Sequence, residues 1–383
     1  MKVVVAIDSF KGSVSSFELG NFIENGIKNI YPNAEVKKIP IADGGEGTVE
    51  SLVEGTGGEF IDVSVNGPLM KPVLARYGIM GDNKTAVIEM ASASGLPLIT
   101  KEMRNPRKTT TYGTGELIKD AIKRGCREFL VGIGGSATND AGIGMLQALG
   151  YKFLDKEGEI LGFGGEILEK IVEVDTSEVM TELKECRFLV ACDVDNPLYG
   201  PNGASHVYSR QKGADEETVY FLDSCLEKFA SFTKDKLQKD IGDLPGAGAA
   251  GGLGGGFVAF LNAELKPGIE IVLEKVKFED AVKGADFVIT GEGKIDFQSI
   301  MGKAPVGVSK VCKRMGIPVI ALAGGVADDA GATHDHGIEA LFSVVNYPIS
   351  LKEAMDPERA RIFVENSTEE IFRLINVCEK KFK

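Results

Sequence analysis

The chain has 383 residues, more than one core of ordinary size accommodates, so two domains are expected. A hydrophobic fraction of 43% and a charged fraction of 26% are those of a globular protein with a substantial core. The net charge of −13 argues against a non-specific nucleic-acid binder, yet small anions remain open to local lysines or backbone N–H groups.

Val3-Val4-Val5-Ala6-Ile7 is a continuous apolar run, as a strand buried on both faces requires. It ends at Asp8 with no cleavage-like region after it, so no signal peptide is expected. Phe17 to Ile30 carries Leu19, Phe22, Ile23, Ile27 and Ile30 on one helical stripe, and Val36 to Ile41 reads as the next strand. Strand, helix and strand make a βαβ unit. Phe60–Val65, Val73–Met80 and Ala86–Ala91 are closely spaced strand-like runs that predict an antiparallel meander. A helix over Glu116–Lys123, a strand over Phe129–Ile133, a helix over Ala141–Leu149 and a strand over Phe188–Ala191 follow. The far end returns to the opening alphabet. Phe287–Thr290, Pro318–Leu322 and Ile338–Val344 read as strands, with helices over Pro305–Met315 and Pro357–Lys380.

The expected fold is therefore α/β with two domains. Residues 1–60 and 285–383 form a Rossmann-like parallel-sheet domain built from both termini, and residues 61–284 form an inserted mixed α/β domain. No apolar run approaches the ~20 residues of a membrane helix. The six cysteines are scattered without a C-x-x-C pair, which suits reduced thiols and a cytoplasmic location.

The strand over Phe129–Ile133 leads into Gly134-Gly135-Ser136-Ala137-Thr138-Asn139-Asp140 and then a predicted helix. Glycines there let backbone N–H groups approach an anion, and Ser136 and Thr138 add hydroxyl donors. Capping alone needs one such residue, not a cluster. Gly132, Gly134 and Ala137 formally match a dinucleotide fingerprint, a weak signal by itself. No P-loop is present: neither Gly293-Lys294 nor Gly302-Lys303 has the required flanking residues.

Acids recur just past predicted strand ends, where open α/β sheets place ligands. Asp8 lies in Asp8-Ser9-Phe10-Lys11-Gly12, and Asp43 and Glu46 in Ala42–Thr48. Asp193 and Asp195 follow the strand ending at Ala191; Gly291, Glu292 and Asp296 follow the one ending at Thr290. A single Asp in such a place is more often a turn former. The recurrence points instead to Mg²⁺ binding or acceptance of a hydroxyl proton, with Lys11, Lys294 and Lys303 balancing phosphate charge. Gly246–Gly256 is too rich in glycine for a strong helix, so close backbone approach is expected, at a ligand or at a packed helix pair.

Taken together, the Asp8–Gly12, Ala42–Thr48, Thr109–Glu116, Gly134–Asp140, Ala191–Pro197, Pro245–Gly252, Pro267–Glu270 and Thr290–Gly293 stretches resemble the bacterial glycerate kinase family that lacks a P-loop. They occur in order over nearly the whole chain; Ala141 stands where the family often has Gly. The resemblance implies ATP-dependent phosphorylation of D-glycerate with Mg²⁺, favouring 2-phosphoglycerate over 3-phosphoglycerate, in an interdomain cleft. Chemistry assigns Asp193, Asp8, Lys11 and Asp296 to catalysis. Ser9, Asp43, Gly134, Gly135, Ser136, Thr138, Asn139, Gly291, Glu292 and Lys303 are assigned to substrate or phosphate, and Asp193 and Asp195 to the metal. The expected partners are glycerate and ATP, with no nucleic acid or membrane and with a homodimer left open. The alternatives are a NAD-dependent oxidoreductase of a small hydroxy acid and a non-catalytic small-acid sensor.

Overall fold

The computed structural model describes residues 1–382. In chain order the strands are β1 (Lys2–Val5), β2 (Glu35–Lys38), β3 (Glu59–Asn66), β4 (Pro72–Ile79), β5 (Thr85–Glu89), β6 (Glu128–Gly132), β7 (Lys152–Leu154), β8 (Glu173–Asp175), β9 (Arg187–Ala191), β10 (Glu264–Lys266), β11 (Phe287–Ile295), β12 (Val319–Val326) and β13 (Ala340–Ser343). The chain divides into two compact units. The first holds Met1–Asp43, Glu50–Thr56 and the chain from Ile269 onward; the second holds Gly44–Val49 and Gly57–Gly268. The helices Gly268–Lys275 and Phe278–Val282 thus fall almost wholly with the terminal sheet, although the sequence boundary at residue 285 places them in the insert.

The first unit is a five-stranded sheet in the order β13-β12-β11-β1-β2, with every neighbouring pair parallel. Val3, Val4 and Val5 are fully buried, which is why the run shows no polar alternation. One face packs Leu19, Ile23 and Ile27 of the helix Ser16–Ile30 with Phe363, Val364 and Phe372 of the helix Pro357–Phe382. Ser15 and Glu18 close a capping box at the start of the first of these helices. The strand predicted to stop at Thr290 continues to Ile295, so Gly291 and Glu292 lie on β11 rather than after it. Pairing with β12 carries it onward, Lys294 opposite Gly325 and Ile295 opposite Val326.

The second unit has a six-stranded sheet in the order β10-β9-β6-β5-β4-β3. β3, β4 and β5 form the expected antiparallel meander, while β5, β6, β9 and β10 run parallel. β7 and β8 form a separate antiparallel pair. The glycine-rich segment becomes the helix Ala249–Leu261, broken by left-handed backbone at Ala250, Gly251 and Gly252. A Cβ on Gly251 would stand 2.1 Å from the Thr138 carbonyl oxygen, and one on Gly256 2.2 Å from that of Ala141. The glycines therefore let this helix press its backbone onto the Thr138–Ala141 turn, which is the close packing expected of them. Among the described residues, no helix is long and apolar enough to cross a membrane.

Candidate active site

In the first unit the end of β1 and the middle of β11 place carboxylates and lysines on one cavity of about 540 Å³. The Asp8 N–H donates to the Gly291 carbonyl oxygen at 3.0 Å, which fixes the residue beside β11. Its Oδ1 accepts from the Ser9 N–H at 2.7 Å. Lys11 Nζ lies 3.2 Å from Asp43 Oδ2. Glu292 projects from β11, where its Oε1 accepts from Ser299 Oγ at 2.5 Å and its Oε2 lies 3.7 Å from Lys303 Nζ. The rest of the wall is largely apolar, with Phe10, Val344, Val345, Leu351, Met355 and Phe363.

Asp8, Ser9, Lys11, Asp43, Glu292 and Lys303, each named from the sequence, thus line one cavity. Asp296 is not on this wall. It pairs with Lys294 at 3.0 Å, and its N–H donates to Ser299 Oγ. Gly291 serves through its carbonyl rather than by lining the cavity.

Burial pushes the Asp8 carboxyl up to about 7; Asp43 adds to the rise and Lys11 opposes it. Burial likewise raises Glu292, against the Ser299 hydrogen bond and Lys303. For Lys11 burial works against the ammonium, but Asp43 and Asp8 outweigh it and its pKa rises.

A carboxyl whose folded pKa is raised contributes stability below its unfolded pKa and loses it as pH rises through the folded value. For Asp8 that window runs from 3.8 to about 7, and the full shift is worth roughly 4 kcal/mol at 1.36 kcal/mol per unit. Asp8→Asn should therefore gain in melting temperature relative to the parent as pH rises from 4 to 8, with little difference at pH 4. Parallel pH curves for the two proteins would contradict this assignment.

In the second unit β6 runs through Ile133 into the Gly134–Asp140 turn. Gly134, Gly135 and Ser136 line a cavity of about 350 Å³ with Cys192, Asp193, Tyr208, Gln211 and Lys212. Ser136 Oγ and the Thr138 carbonyl oxygen each accept from Lys212 Nζ at 2.7 Å. Lys212 is 1% exposed, and burial pushes its ammonium down to about 7, with Asp140 opposing. Local sequence does not single out Lys212 in Arg210-Gln211-Lys212-Gly213; only tertiary packing buries it.

The remaining turn residues face inward. Asp140 is fully buried and accepts from the Thr111 N–H and Oγ1 at 2.8 and 2.9 Å and from the Gly142 and Gly144 N–H groups. Thr138 and Asn139 are also buried and do not line the cavity; Asn139 Nδ2 donates to Ser205 Oγ at 3.2 Å. Thr138 Oγ1 and Asn139 Oδ1 are buried without a hydrogen-bond partner.

The predicted helix at Ala141 begins instead at Ile143 and ends at Ala148, because Ala141 and Gly142 adopt positive φ. No long helix starts at this turn, so an anion held here would rest on backbone and side-chain donors rather than on a helix dipole. The dinucleotide fingerprint fails for the same reason, since it needs a helix opening directly on the glycines.

Asp193 presents an exposed side chain whose Oδ1 accepts from the Gly268 N–H at 2.9 Å. Asp195 is exposed and off the cavity wall. Among the described residues, no group of three or more His, Cys, Asp or Glu is placed to hold a metal ion.

The glycerate kinase family model matches residues 3–376. The chain belongs to the glycerate kinase family. It is 48% identical to the glycerate kinase of Bacillus subtilis (strain 168) over 382 residues, covering 100% of both chains. It is 50% identical to the glycerate 2-kinase of Escherichia coli (strain K12) over 354 residues, or 92% of this chain and 93% of the relative. A crystal structure from Salmonella typhimurium LT2, of a protein provisionally called glycerate kinase 2, superposes with a TM-score of 0.92 at 44% identity, covering 99% of each chain. The glycerate kinase relatives thus span both units of this fold.

Proposed function

We propose that this chain transfers the γ-phosphate of ATP to a hydroxyl of D-glycerate, with 2-phosphoglycerate as the product. Membership of the glycerate kinase family supports the acceptor, and the name of the Escherichia coli relative supports position 2. The observation that carries the nucleotide is the first-unit cavity, whose lining combines Lys11 and Lys303 with apolar side chains such as Phe10, Val344, Leu351 and Phe363. Ammonium groups suit phosphate oxygens, and apolar side chains suit a planar base. Phosphoryl transfer needs little covalent chemistry from the protein; positioning and charge do the work.

The donor set there also fits Mg²⁺. Asp43 and Glu292 both crowd Asp8 with like charge, a strain a hard cation relieves, and Mg²⁺ needs only one or two carboxylates beside phosphate oxygens and water. Asp8 and Asp43 would hold it, and when bound it would neutralise charge on the phosphates. Asp193, on the second-unit cavity with Ser136 and Lys212, is assigned to take the proton of the glycerate hydroxyl. Ser136 and the Gly134–Gly135 backbone are assigned to an anionic group. All six cysteines are free, which supports a reducing, cytoplasmic setting.

The purified protein should release ADP only when D-glycerate and Mg²⁺ are both present with ATP. A coupled ADP-release assay with no glycerate-dependent rate, across several divalent metals, would overturn the assignment.

A further inference from the structure

We propose that the second-unit cavity beneath Gly134–Ser136 is a carboxylate site in which the Lys212 ammonium holds the acid group of the acceptor. This rests on the reading of glycerate as that acceptor. An ammonium has three donors. Two are used on neutral oxygens, Ser136 Oγ and the Thr138 carbonyl, both at 2.7 Å. The carboxylate whose field reaches Lys212 is Asp140, which already accepts hydrogen bonds from Thr111, Gly142 and Gly144. A cation 1% exposed without a dedicated counter-ion is costly, and an arriving anion lowers that cost.

The cavity selects the kind of anion. At about 350 Å³ it lies at the small end of ligand sites, the scale of a short acid with some water. One ammonium balances one carboxylate, whereas a doubly charged phosphate would be left in excess beside Asp193 on the same wall. Ser136, positioned by Lys212, adds a hydroxyl donor. Lys212 so placed distinguishes an acid from a neutral polyol.

Proton linkage follows. The unliganded Lys212 titrates near neutrality, and a bound carboxylate favours its charged form, so binding takes up a proton as pH rises above about 7. The other titratable groups on the cavity are Asp193, Cys192 and Tyr208; burial raises the last two, which stay neutral in this range.

The test combines initial rates and calorimetry on the full chain. KM for D-glycerate should rise up to about tenfold per pH unit above pH 7, while KM for ATP stays flat. Lys212→Met should raise KM for D-glycerate about 100-fold, abolish that pH dependence and leave KM for ATP in place. A merely structural lysine would show lost thermal stability and reduced kcat with an unchanged KM for D-glycerate, which overturns the proposal. If Lys212→Met does not fold, the unmodified protein decides. D-glycerate binding at pH 8 in buffers of different ionisation enthalpy should report proton uptake, and its absence refutes the site. Competition by inorganic phosphate but not by D-lactate would reassign the cavity to phosphate and also refute it. Absence of phosphorylated product with proton-linked glycerate binding intact would count against the kinase reading alone.

Discussion

Asp193→Asn is expected to lower kcat by about 100-fold or more while the protein stays folded. The substitution is conservative in the hydrogen bond that Asp193 accepts from the Gly268 backbone. Asp193 Oδ1 accepts from the Gly268 N–H at 2.9 Å, and an asparagine carbonyl oxygen accepts the same bond. What is lost is the carboxylate's capacity to take a proton. The residue lines the cavity that also holds Ser136 and Lys212, so the proposed base and the proposed anion-holding groups line one cavity. A structural role predicts near-normal kcat in Asp193→Asn. Near-normal kcat there with collapse in Asp8→Asn or Asp296→Asn would transfer the role of base. Of those competitors, Asp8 is buried on the first-unit cavity with its carboxyl raised to about 7, whereas Asp296 does not line that cavity and is paired to Lys294, which does.

Gly134→Val is expected to raise KM for D-glycerate about 100-fold or more with little change in melting temperature. The two adjacent glycines separate a ligand effect from a folding effect. Gly135 has φ of +73°, so a β-branched residue there is strained whatever space surrounds it. Gly134 is not in that region, and a Cβ built on it meets nothing within 4 Å. It nevertheless lines the cavity, so a valine side chain occupies ligand space without displacing core. Gly135→Val should lose both stability and activity. Unchanged kinetics in Gly134→Val would make the turn structural only.

The parts of the fold that were legible in the sequence are those whose burial leaves a composition. Val3-Val4-Val5 reads as a two-sided buried strand because it is one. Leu19, Ile23 and Ile27 keep helical spacing because they face one core. The continuation of β11 was not legible, because Gly291-Glu292-Gly293-Lys294 has poor strand propensity and is held extended by its neighbour β12. The helix expected at Ala141 failed through backbone geometry that composition hides, positive φ at Ala141 and Gly142.

The candidate site shows the same division. The motif around Gly134–Asp140 marks a turn that reaches a cavity, but sequence cannot tell Ser136, which lines the cavity, from Asp140, which knits the turn through buried hydrogen bonds. Asp8, Lys11 and Asp43 were legible because each follows a predicted strand, whereas Glu292 was picked out from a strand end at Thr290 that β11 in fact runs past, to Ile295. Lys212 was not, since its burial arises only when its segment packs against the turn.

Phosphorus NMR of the product formed from D-glycerate and Mg·ATP tests the central claim most directly. The predicted result is conversion of ATP to ADP with a new phosphate monoester signal split into a doublet by the single proton on carbon 2. A triplet from two protons on carbon 3 would contradict the assigned position. ATP that is left intact, or that yields only inorganic phosphate, would contradict the kinase reading itself.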